Sequence, residues 1–319
     1  MHEVTLIPGS GLGPRAAEVA RDVVAAAGVN VKWDVQNEDV DAMVASVRRT
    51  GVALKGKVAA TPTPGKQPFT VQFRRALGIH AIVRHVRHVP GLPARAPETD
   101  LVIVREASED IYAGFEHEST DGVFESVKVT TKAACERIAR FAFEFAAKNG
   151  RGKVTTVHKA NILKKADGMF LSTSREVAAQ FPGIRHDDII VDALCMRLVR
   201  RPRDFDVLLC GNLFGDIVSD CAAGMAGGVT VATGVGYGPG VVLFENPHGP
   251  IAAEVGEDGA NPLPMVLLAA DMLKHLGEID AARRLRGAVE KALAAGVRTH
   301  DMGGTTKCAE VRGILIASL

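Results

Sequence analysis

The stretch Asp206-Val-Leu-Leu-Cys-Gly-Asn-Leu-Phe-Gly-Asp216-Ile-Val-Ser-Asp220 decides the fold. Its first part is a short apolar run that ends at Gly211, which is typical of a buried strand, and a helix is predicted over 216–225. Asp216 and Asp220 are four residues apart, so they lie on one face of that helix. Two carboxylates on one face repel each other unless a cation or an arginine lies between them. Spacing alone leaves open a hard divalent cation, or a charge at the helix N-terminus together with a solvated carboxylate.

The same order of strand, turn and helix recurs along the chain. Apolar runs predict strands over 4–8, 101–104, 153–157, 189–191 and 206–210. Helical spacing of apolar residues predicts helices over 14–27, 132–149, 168–180, 216–225, 262–276 and 278–295. This alternation favours an α/β fold. A proline-rich stretch at 89–97 and a glycine-rich stretch at 224–240 are the expected crossings between domains.

The composition argues against several classes of protein. A chain of 319 residues suggests about two domains. A net charge of +1 and an aromatic content of 5% argue against a nucleic-acid partner, and no uncharged apolar run is long enough for a membrane span. Five cysteines without a C-x-x-C pair favour a reducing compartment. Since the start of the chain also lacks a signal-peptide pattern, we expect a cytoplasmic protein.

Glycine is unusually frequent, with 33 residues, and one cluster follows the first predicted strand. In Gly9-Ser-Gly11-Leu-Gly13 the spacing is GxGxG, whereas dinucleotide-binding turns have GxGxxG. The acidic residue expected about 20 positions later is missing as well, because Val29-Asn30-Val31 stands there. The cluster therefore predicts a tight strand–helix turn and no phosphate cradle.

Several charged residues stand where the fold does not need them. Asp192 follows the apolar run 189–191, and a carboxylate between apolar runs needs a partner or a metal. Lys159 ends the predicted strand 153–157, at the edge of the sheet where ligands gather in α/β folds, so it is either a proton-transfer lysine or a surface lysine. Tyr112 lies close in sequence to charged residues. Three arginines on one pocket would bind a polycarboxylate, and the candidates are Arg74, Arg84 and Arg105.

Taken in order, these segments resemble the β-decarboxylating dehydrogenases of the isocitrate/3-isopropylmalate dehydrogenase family. The resemblance covers essentially the whole chain. It rests on Leu6 to Pro14, Ala53 to Gly56 with Ala60-Thr61-Pro62, Val104 to Gly114, Val157 to Ile162, Asn212 to Asp220, Glu245 to Gly249, Ala260 to Pro262 and Arg298 to Gly304. Segments 116–126 and 136–143 are most similar to the NAD-dependent isocitrate enzymes.

The resemblance implies a two-domain α/β fold of the isocitrate/isopropylmalate dehydrogenase type, which is not a GxGxxG Rossmann domain. Residues 1–94 and 236–319 are expected to form a large, cofactor-side domain, and residues 95–235 a small domain with the dimer interface. The implied reaction is oxidative decarboxylation of a 2-hydroxy acid with a 3-carboxylate, isocitrate to 2-oxoglutarate and CO₂. Hydride passes to NAD, and Mg²⁺ or Mn²⁺ is required.

The resemblance also implies roles for individual residues. Lys159 would act as the base for the hydroxyl proton, and Tyr112 would protonate the enolate. The expected substrate residues are Arg74, Arg84, Arg105 and Thr70, and the expected metal ligands are Asp192, Asp216 and Asp220. The expected cofactor contacts are Thr61, Asn212, Glu245, His248, Gly249, Glu254 and Asn261. Because the family supplies its lysine and one aspartate from the neighbouring subunit, a homodimer with shared active sites is expected, with no nucleic-acid or membrane partner.

The loop before Arg74 leaves the substrate open. Isocitrate enzymes of the family usually place serine and asparagine six and four residues before this arginine, where Pro68 and Thr70 stand here. The apolar residues Phe69, Val71 and Phe73 suit an alkyl-substituted malate instead. Isocitrate is the preferred substrate, and the alternatives are homoisocitrate, 3-isopropylmalate or another 3-substituted malate.

Two further questions concern the cofactor and catalysis itself. The NAD enzymes usually carry an aspartate at the position of Ala253, but Glu254 follows it and would repel a 2′-phosphate, so NAD is predicted. A non-catalytic regulatory subunit is the remaining alternative. It is disfavoured because the lysine, the tyrosine and all three aspartates are present.

Overall fold

The computed structural model describes residues 1–37, 39–59, 67–248 and 255–319. Its strands are β1 (His2–Ile7), β2 (Val31–Val35), β3 (Val52–Lys55), β4 (Ala81–Arg87), β5 (Asp100–Glu106), β6 (Glu116–Thr120), β7 (Val123–Ser126), β8 (Lys153–His158), β9 (Arg185–Ile190), β10 (Val207–Cys210), β11 (Gly234–Gly238) and β12 (Val241–Glu245). Its helices are α1 (Gly13–Ala26), α2 (Val40–Thr50), α3 (Phe69–Ala76), α4 (Lys132–Lys148), α5 (Ala166–Ala178), α6 (Val191–Arg200), α7 (Asn212–Ala226), α8 (Leu263–His275), α9 (Ile279–Ala294) and α10 (Cys308–Ala317).

Ten of these strands form one sheet in the order β2-β1-β3-β12-β11-β4-β5-β10-β8-β9. The pairs at both ends of the sheet are parallel, and the three pairs that involve β11 or join β4 to β5 are antiparallel. The parallel strands therefore run in one direction at one end and in the opposite direction at the other. This large mixed sheet confirms the predicted α/β class.

The predicted boundary at residue 94 falls between β4 and β5, which are neighbours in the sheet. They pair in antiparallel register over seven residues, from Ala81 opposite Glu106 to Arg87 opposite Asp100. The second predicted boundary, at residue 235, falls inside β11. The two-domain division therefore has a continuous sheet across it, and it stays a prediction.

Helices cover both faces of the sheet because each presents an apolar stripe to it. Helix α8 is buried along almost its whole length, since it lies between the sheet and helices α1 and α9. Helix α4 buries one face against β5, β8 and β10. In this way α7 and α4 fix the position of the carboxyl ends of β5 and β10.

The strand and helix predictions are confirmed in type, but two boundaries change the interpretation of the site. Helix α7 starts at Asn212, four residues before the predicted start, so Asp216 lies beyond its first turn. Asp216 is therefore not a charge at the N-terminus of the helix, which was one of the two interpretations of the Asp216–Asp220 pair. The apolar run 189–191 spans the end of β9 and the start of α6, so Asp192 is a residue of the first turn of a helix and does not end a strand.

Strands β6 and β7 form a separate two-stranded sheet. All of their residues are exposed, including Phe124 at 69%. Within the described ranges, no helix has the length and apolarity to cross a membrane.

Candidate active site

Asp216 is the centre of the candidate site. Its Oδ2 accepts a 2.6 Å hydrogen bond from the hydroxyl of Tyr112, and its Oδ1 accepts one from Nη1 of Arg105. Nη2 of Arg84 lies 3.5 Å from the same Oδ1. Three of the predicted substrate and catalytic residues thus meet at one predicted metal ligand, although they come from strands β4 and β5 and from the turn after β5.

Asp220 lies one helical turn further along α7 and is contacted by an arginine and a histidine. Nη1 of Arg84 donates to its Oδ1, and Nε2 of His248 lies 3.3 Å from the same oxygen. Burial raises the pKa of Asp220, but the hydrogen bond from His248 and the charge of Arg84 outweigh it and hold the pKa below its usual range. Nε of Arg84 is buried, and it has no hydrogen-bond partner among the residues that the structure describes.

Arg105 is one of the largest fully buried side chains of the protein. Its Nε donates a 2.8 Å hydrogen bond to Oδ1 of Asn212, and its guanidinium lies 5.0 Å from the ring centre of Tyr112. Burial lowers the pKa of Arg105, although the charge of Asp216 acts in the other direction and raises it. Gly215 makes room for this side chain, because a Cβ on Gly215 would lie 2.7 Å from Cγ of Arg105.

Tyr112 sits in a 3₁₀ turn, Ile111–Ala113, just after β5. Asp110 caps this turn: its Oδ1 accepts from the backbone NH of Ile111 at 2.8 Å. Burial, and then the hydrogen bond to Asp216, raise the pKa of Tyr112 to about 12. The phenol is therefore protonated at neutral pH and can donate a proton.

Arg74 belongs to a buried ion cluster that sequence reasoning missed. Nε and Nη2 of Arg74 donate to Oε2 of Glu245 at 3.0 and 2.7 Å, and Nζ of Lys55 donates to Oε1 at 2.6 Å. Burial raises the pKa of Glu245, but the charges of Arg74 and Lys55 outweigh it and lower the pKa well below its usual range. Both oxygens of Glu245 are thus occupied by protein cations. Its predicted role as a cofactor contact stays a prediction.

A cavity of about 400 Å³ lies beside this cluster. Arg74, Arg105, Tyr112 and Asn212 line it together with three basic residues that the sequence analysis did not select, Arg75, His80 and Arg137. Nothing in their spacing marks these three residues, since α3, α4 and the residue before β4 come together only in the folded chain. Burial, and then the charge of Arg137, lower the pKa of His80, so the cations of this cavity are its four arginines, and they suit an anionic ligand.

The predicted apolar slot before Arg74 is largely absent. Phe73 is fully buried in the core, and the ring of Phe69 stacks on it with 5.6 Å between centroids. Of the three apolar residues only Val71 lines the cavity. The alternative of an apolar slot lined by Phe69, Val71 and Phe73 does not hold for Phe73, because its position on α3 points it into the core between the helix and the sheet. Thr70 is half-buried in the first turn of α3.

Lys159 and Asp192 form a pair of their own, with Nζ of Lys159 3.0 Å from Oδ1 of Asp192. The side chain of Asp192 is 68% exposed, and the hydrogen bond from Lys159 lowers its pKa. The inference that Asp192 is enclosed by apolar runs is wrong, because β9 is an exposed edge strand and α6 starts directly after it. No group of three metal-ligating side chains forms within the described part of this single chain.

The predicted cofactor contacts divide into three groups. Thr61, Gly249 and Glu254 lie outside the described residues. Asn212 and Asn261 are buried and hold the backbone, since Asn212 Nδ2 donates to the carbonyl of Glu109 and Asn261 Oδ1 accepts from the NH of Leu263. His248 contacts Asp220. Among the described residues predicted to contact the cofactor, His248 therefore lies beside a predicted metal ligand.

The donor set at Asp216 and Asp220 fits a hard divalent cation. Both side chains are carboxylates on one face of α7, and both remain partly exposed while the arginines around them are buried. Oxygen donors of this kind suit Mg²⁺ or Mn²⁺. The exposed Asp192 offers a third carboxylate on the same chain, but it is paired with Lys159 instead.

The protein is thus an α/β protein whose large mixed sheet brings the arginines of β4 and β5 to the carboxylates of α7. A sequence model of the isocitrate/isopropylmalate dehydrogenases matches residues 3–314, and the chain belongs to this family.

Individual relatives agree with this assignment. The chain is 43% identical to isocitrate dehydrogenase [NAD] regulatory subunit 1, mitochondrial, from Arabidopsis thaliana, over 99% of this chain and 89% of that protein. It is 42% identical to isocitrate dehydrogenase [NAD] subunit beta, mitochondrial, from Homo sapiens, over 94% and 82%. The crystal structure of isocitrate dehydrogenase from Methylococcus capsulatus superimposes with a TM-score of 0.94 at 39% identity, over 100% and 99%.

Proposed function

We propose that the protein is an NAD- and metal-dependent decarboxylating dehydrogenase whose substrate is isocitrate. The observation that carries this proposal is the meeting of Tyr112, Arg105 and Arg84 at Asp216. A proton donor, two cations and a metal-type carboxylate within hydrogen-bond distance are the groups that oxidation and decarboxylation of a 2-hydroxy-3-carboxylic acid require.

Each of these residues has a separate task in the proposed reaction. The guanidinium groups of Arg74, Arg84 and Arg105 bind the substrate carboxylates and orient the C2–H bond. Tyr112 holds a proton on its Oη that the enolate carbon takes up after CO₂ has left. Lys159 accepts the proton of the C2 hydroxyl. When bound at Asp192, Asp216 and Asp220, Mg²⁺ or Mn²⁺ supplies a Lewis acid for the C2 oxygen, and NAD supplies the hydride acceptor.

Arg84 and Arg105 are paired with Asp216 and Asp220 in the structure, so substrate and metal must replace contacts that already exist. With a cation held by the aspartates, Arg84 and Arg105 would be free to bind the substrate carboxylates. This exchange keeps the net charge of the site nearly constant. It gives a physical reason for binding substrate and metal together.

The proposal includes a homodimer with shared active sites. The Lys159–Asp192 pair is partly exposed at the start of α6, and no described carboxylate cluster completes a metal site around it. Large apolar side chains are exposed nearby on α6 and α7, namely Met196, Val199 and Ile217. Exposed apolar residues on adjacent helices are typical of a protein–protein contact.

Five free cysteines agree with the proposed cytoplasmic location.

The first experiment is a substrate panel with the purified chain. Formation of NADH is measured with isocitrate, homoisocitrate, 3-isopropylmalate, malate and tartrate, with and without Mg²⁺, and with NADP in place of NAD. We expect the highest kcat/KM with isocitrate, NAD and Mg²⁺. Faster turnover of 3-isopropylmalate, or a preference for NADP, contradicts the corresponding part of the proposal.

Shared sites are tested by complementation. Tyr112→Phe and Lys159→Met are each expected to inactivate the homodimer, but a hybrid dimer contains one site with both native residues. An equal mixture, unfolded and refolded together, is expected to regain about a quarter of the wild-type activity, because half the dimers are hybrids with one of two sites intact. No gain over the separate variants contradicts the shared site.

A regulatory subunit is the second candidate, and Arg74 favours it. This predicted substrate arginine is already bound to Glu245, and several of the similar proteins are named as regulatory or beta subunits. Binding without turnover separates the two candidates. Isothermal titration that shows isocitrate binding, together with no NADH formation from any acid of the panel, supports the regulatory candidate.

A further inference from the structure

A buried ion bridge lies behind the candidate site and has no task in the chemistry above. Nζ of Lys128, in the loop between β7 and α4, lies 3.2 Å from Oδ2 of Asp110 and 3.2 Å from Oδ1 of Asp167. Both aspartates are buried, and the Lys128 side chain is 20% exposed. The ammonium group also lies 5.3 Å from the ring centre of Phe214. A lysine between two buried carboxylates balances charges that would otherwise repel each other.

Asp110 connects this bridge to the tyrosine turn and to α7. Its Oδ1 caps the 3₁₀ turn that carries Tyr112, and its Oδ2 accepts a 3.1 Å hydrogen bond from the backbone NH of Leu213. Leu213 lies in the first turn of α7, the helix that carries Asp216. The carboxylate of Asp110 therefore links the Tyr112 turn to α7. The same helix carries Asp216, which accepts the hydrogen bond from the Tyr112 hydroxyl.

The backbone conformation of Asp110 indicates that the contacts of its carboxylate hold it in place. Its φ is +74°, the one positive φ at a non-glycine residue in the described chain. This conformation favours glycine, and an aspartate holds it only where its surroundings fix it. The carboxylate contacts to Lys128 and Leu213 supply that constraint.

Asp167 connects the same ammonium group to the lysine loop. Its Oδ2 accepts a 2.7 Å hydrogen bond from the backbone NH of Lys159. Lys159 in turn lies at the end of β8, with its side chain on Asp192. The Lys128 ammonium group thus contacts both carboxylates directly: Asp110, which caps the Tyr112 turn, and Asp167, which accepts from the backbone NH of Lys159.

We propose that Lys128 is a positioning residue that ties the Tyr112 turn, the start of α7 and the Lys159 loop into one unit. The assignment of Tyr112 and Lys159 as catalytic groups rests on the proposed function. If Lys159 serves the partner subunit's site, the bridge joins the two sites of the dimer, because Tyr112 serves the site of its own chain. Lys128 itself does not contact the reacting atoms.

Lys128→Met is the test variant, since it keeps the length of the side chain and removes the charge. We expect kcat to fall about 10- to 100-fold, as is usual when a residue that orients catalytic groups is lost, while KM for the substrate stays within about threefold. Lys128→Arg is expected to restore most of kcat. The matched control is Lys132→Met, an exposed lysine at the first position of α4 whose ion pair, within the described residues, is with Glu136.

A spectroscopic measurement tests the bridge without turnover. The chain has two tyrosines, so protein labelled with ¹³C at the tyrosine Cζ gives two resonances, which Tyr112→Phe assigns. In Lys128→Met the Tyr112 resonance is expected to shift, and that of Tyr237, which packs on Phe141, is expected to stay. The Tyr112 resonance can shift in Lys128→Met even if the wild-type protein turns over none of the acids in the panel. That combination supports the bridge and contradicts only the proposed function.

Two results overturn the proposal. The first is a Lys128→Met protein with wild-type kcat and an unmoved Tyr112 resonance. The second applies if that variant does not fold: Asp167→Asn keeps an acceptor for the Lys159 NH and removes one charge, and wild-type kcat in this folded variant overturns the bridge. Where Lys128→Met folds, a fall in kcat for Asp167→Asn that does not multiply with that of Lys128→Met supports the bridge.

Hybrid dimers resolve the two ends of the bridge. In the complementing mixture, Lys128→Met is added either to the Tyr112→Phe chain, whose Lys159 is in use, or to the Lys159→Met chain, whose Tyr112 is in use. Activity is expected to fall in both arrangements. A loss in one arrangement only contradicts a link that serves both residues.

Discussion

Tyr112 and Asp216 are joined by a 2.6 Å hydrogen bond across 104 residues of sequence. The donor is on a turn after β5 and the acceptor is on α7, the helix that follows β10. Because β5 and β10 are parallel neighbours, their carboxyl ends lie side by side, and the two residues meet there. This one contact brings the proposed proton donor to the proposed metal ligand.

Tyr112→Phe removes the proposed proton donor and leaves the ring in place. We expect kcat for overall turnover to fall about 100- to 1,000-fold, because general-acid catalysis contributes on that scale. Steady-state NADH formation measures it. Tyr237→Phe is the matched control, since Tyr237 is mostly buried on β11 against Phe141. Equal losses in the two variants would show that Tyr112 has no special role.

Glu245→Gln tests the buried ion cluster. It leaves Lys55 and Arg74 without a counter-charge, so we expect the free energy of unfolding to fall by about 3–5 kcal/mol. Urea unfolding measures it. Glu290→Gln, which breaks an exposed pair with Arg87, is the control and is expected to cost less than about 1 kcal/mol.

The same glutamate predicts a pH dependence of stability. Its pKa in the folded protein is lowered, so its contribution is fully present above the unfolded value near 4.5 and is lost as the pH falls below it. The wild type is expected to lose stability more steeply than Glu245→Gln between about pH 4.5 and pH 3. Parallel curves for the two proteins over this range would contradict the assignment.

Gly215→Ala tests the room that α7 leaves for Arg105. The new Cβ would lie 2.7 Å from Cγ and 2.8 Å from Cβ of a fully buried side chain, so we expect a loss of about 1–3 kcal/mol and lower activity. Gly224→Ala is the control in the same helix, where no atom lies within 4 Å, and it is expected to stabilise by about 0.5–1 kcal/mol. Thermal unfolding measures both. Destabilisation by both changes would assign the effect to the helix and not to Arg105.

Pro68→Ser with Thr70→Asn tests the substrate assignment. Pro68 stands at the N-cap of α3 without a side-chain cap, so serine adds a capping hydroxyl worth about 1 kcal/mol. If the loop binds the third carboxylate, KM for isocitrate is expected to fall while KM for malate stays the same. The kcat and KM of both acids are measured. A stabilised protein with unchanged KM for isocitrate would exclude this loop from substrate recognition.

Local pattern was enough to predict five of the twelve described strands, β1, β5, β8, β9 and β10, six of the ten described helices and the Asp216–Asp220 face, because these depend on neighbouring residues. The boundary between β9 and α6 was missed because one apolar run, Ile189 to Val191, serves both elements. The partners of Arg74 could not be predicted, since Glu245 is 171 residues away and only the pairing of β3 with β12 brings Lys55 beside it. Asp110 was missed because a positive φ at a non-glycine residue leaves no trace in composition.

The antiparallel pairing of β4 with β5 has a mechanical consequence. Seven consecutive residue pairs cross the line between the two proposed domains, and the candidate site lies on both sides of it. Opening of the site cannot use a loose linker there, because each backbone hydrogen bond in this seam resists separation. The seam makes both parts of the candidate site belong to one continuous sheet, so any change in their alignment would have to twist these seven residue pairs.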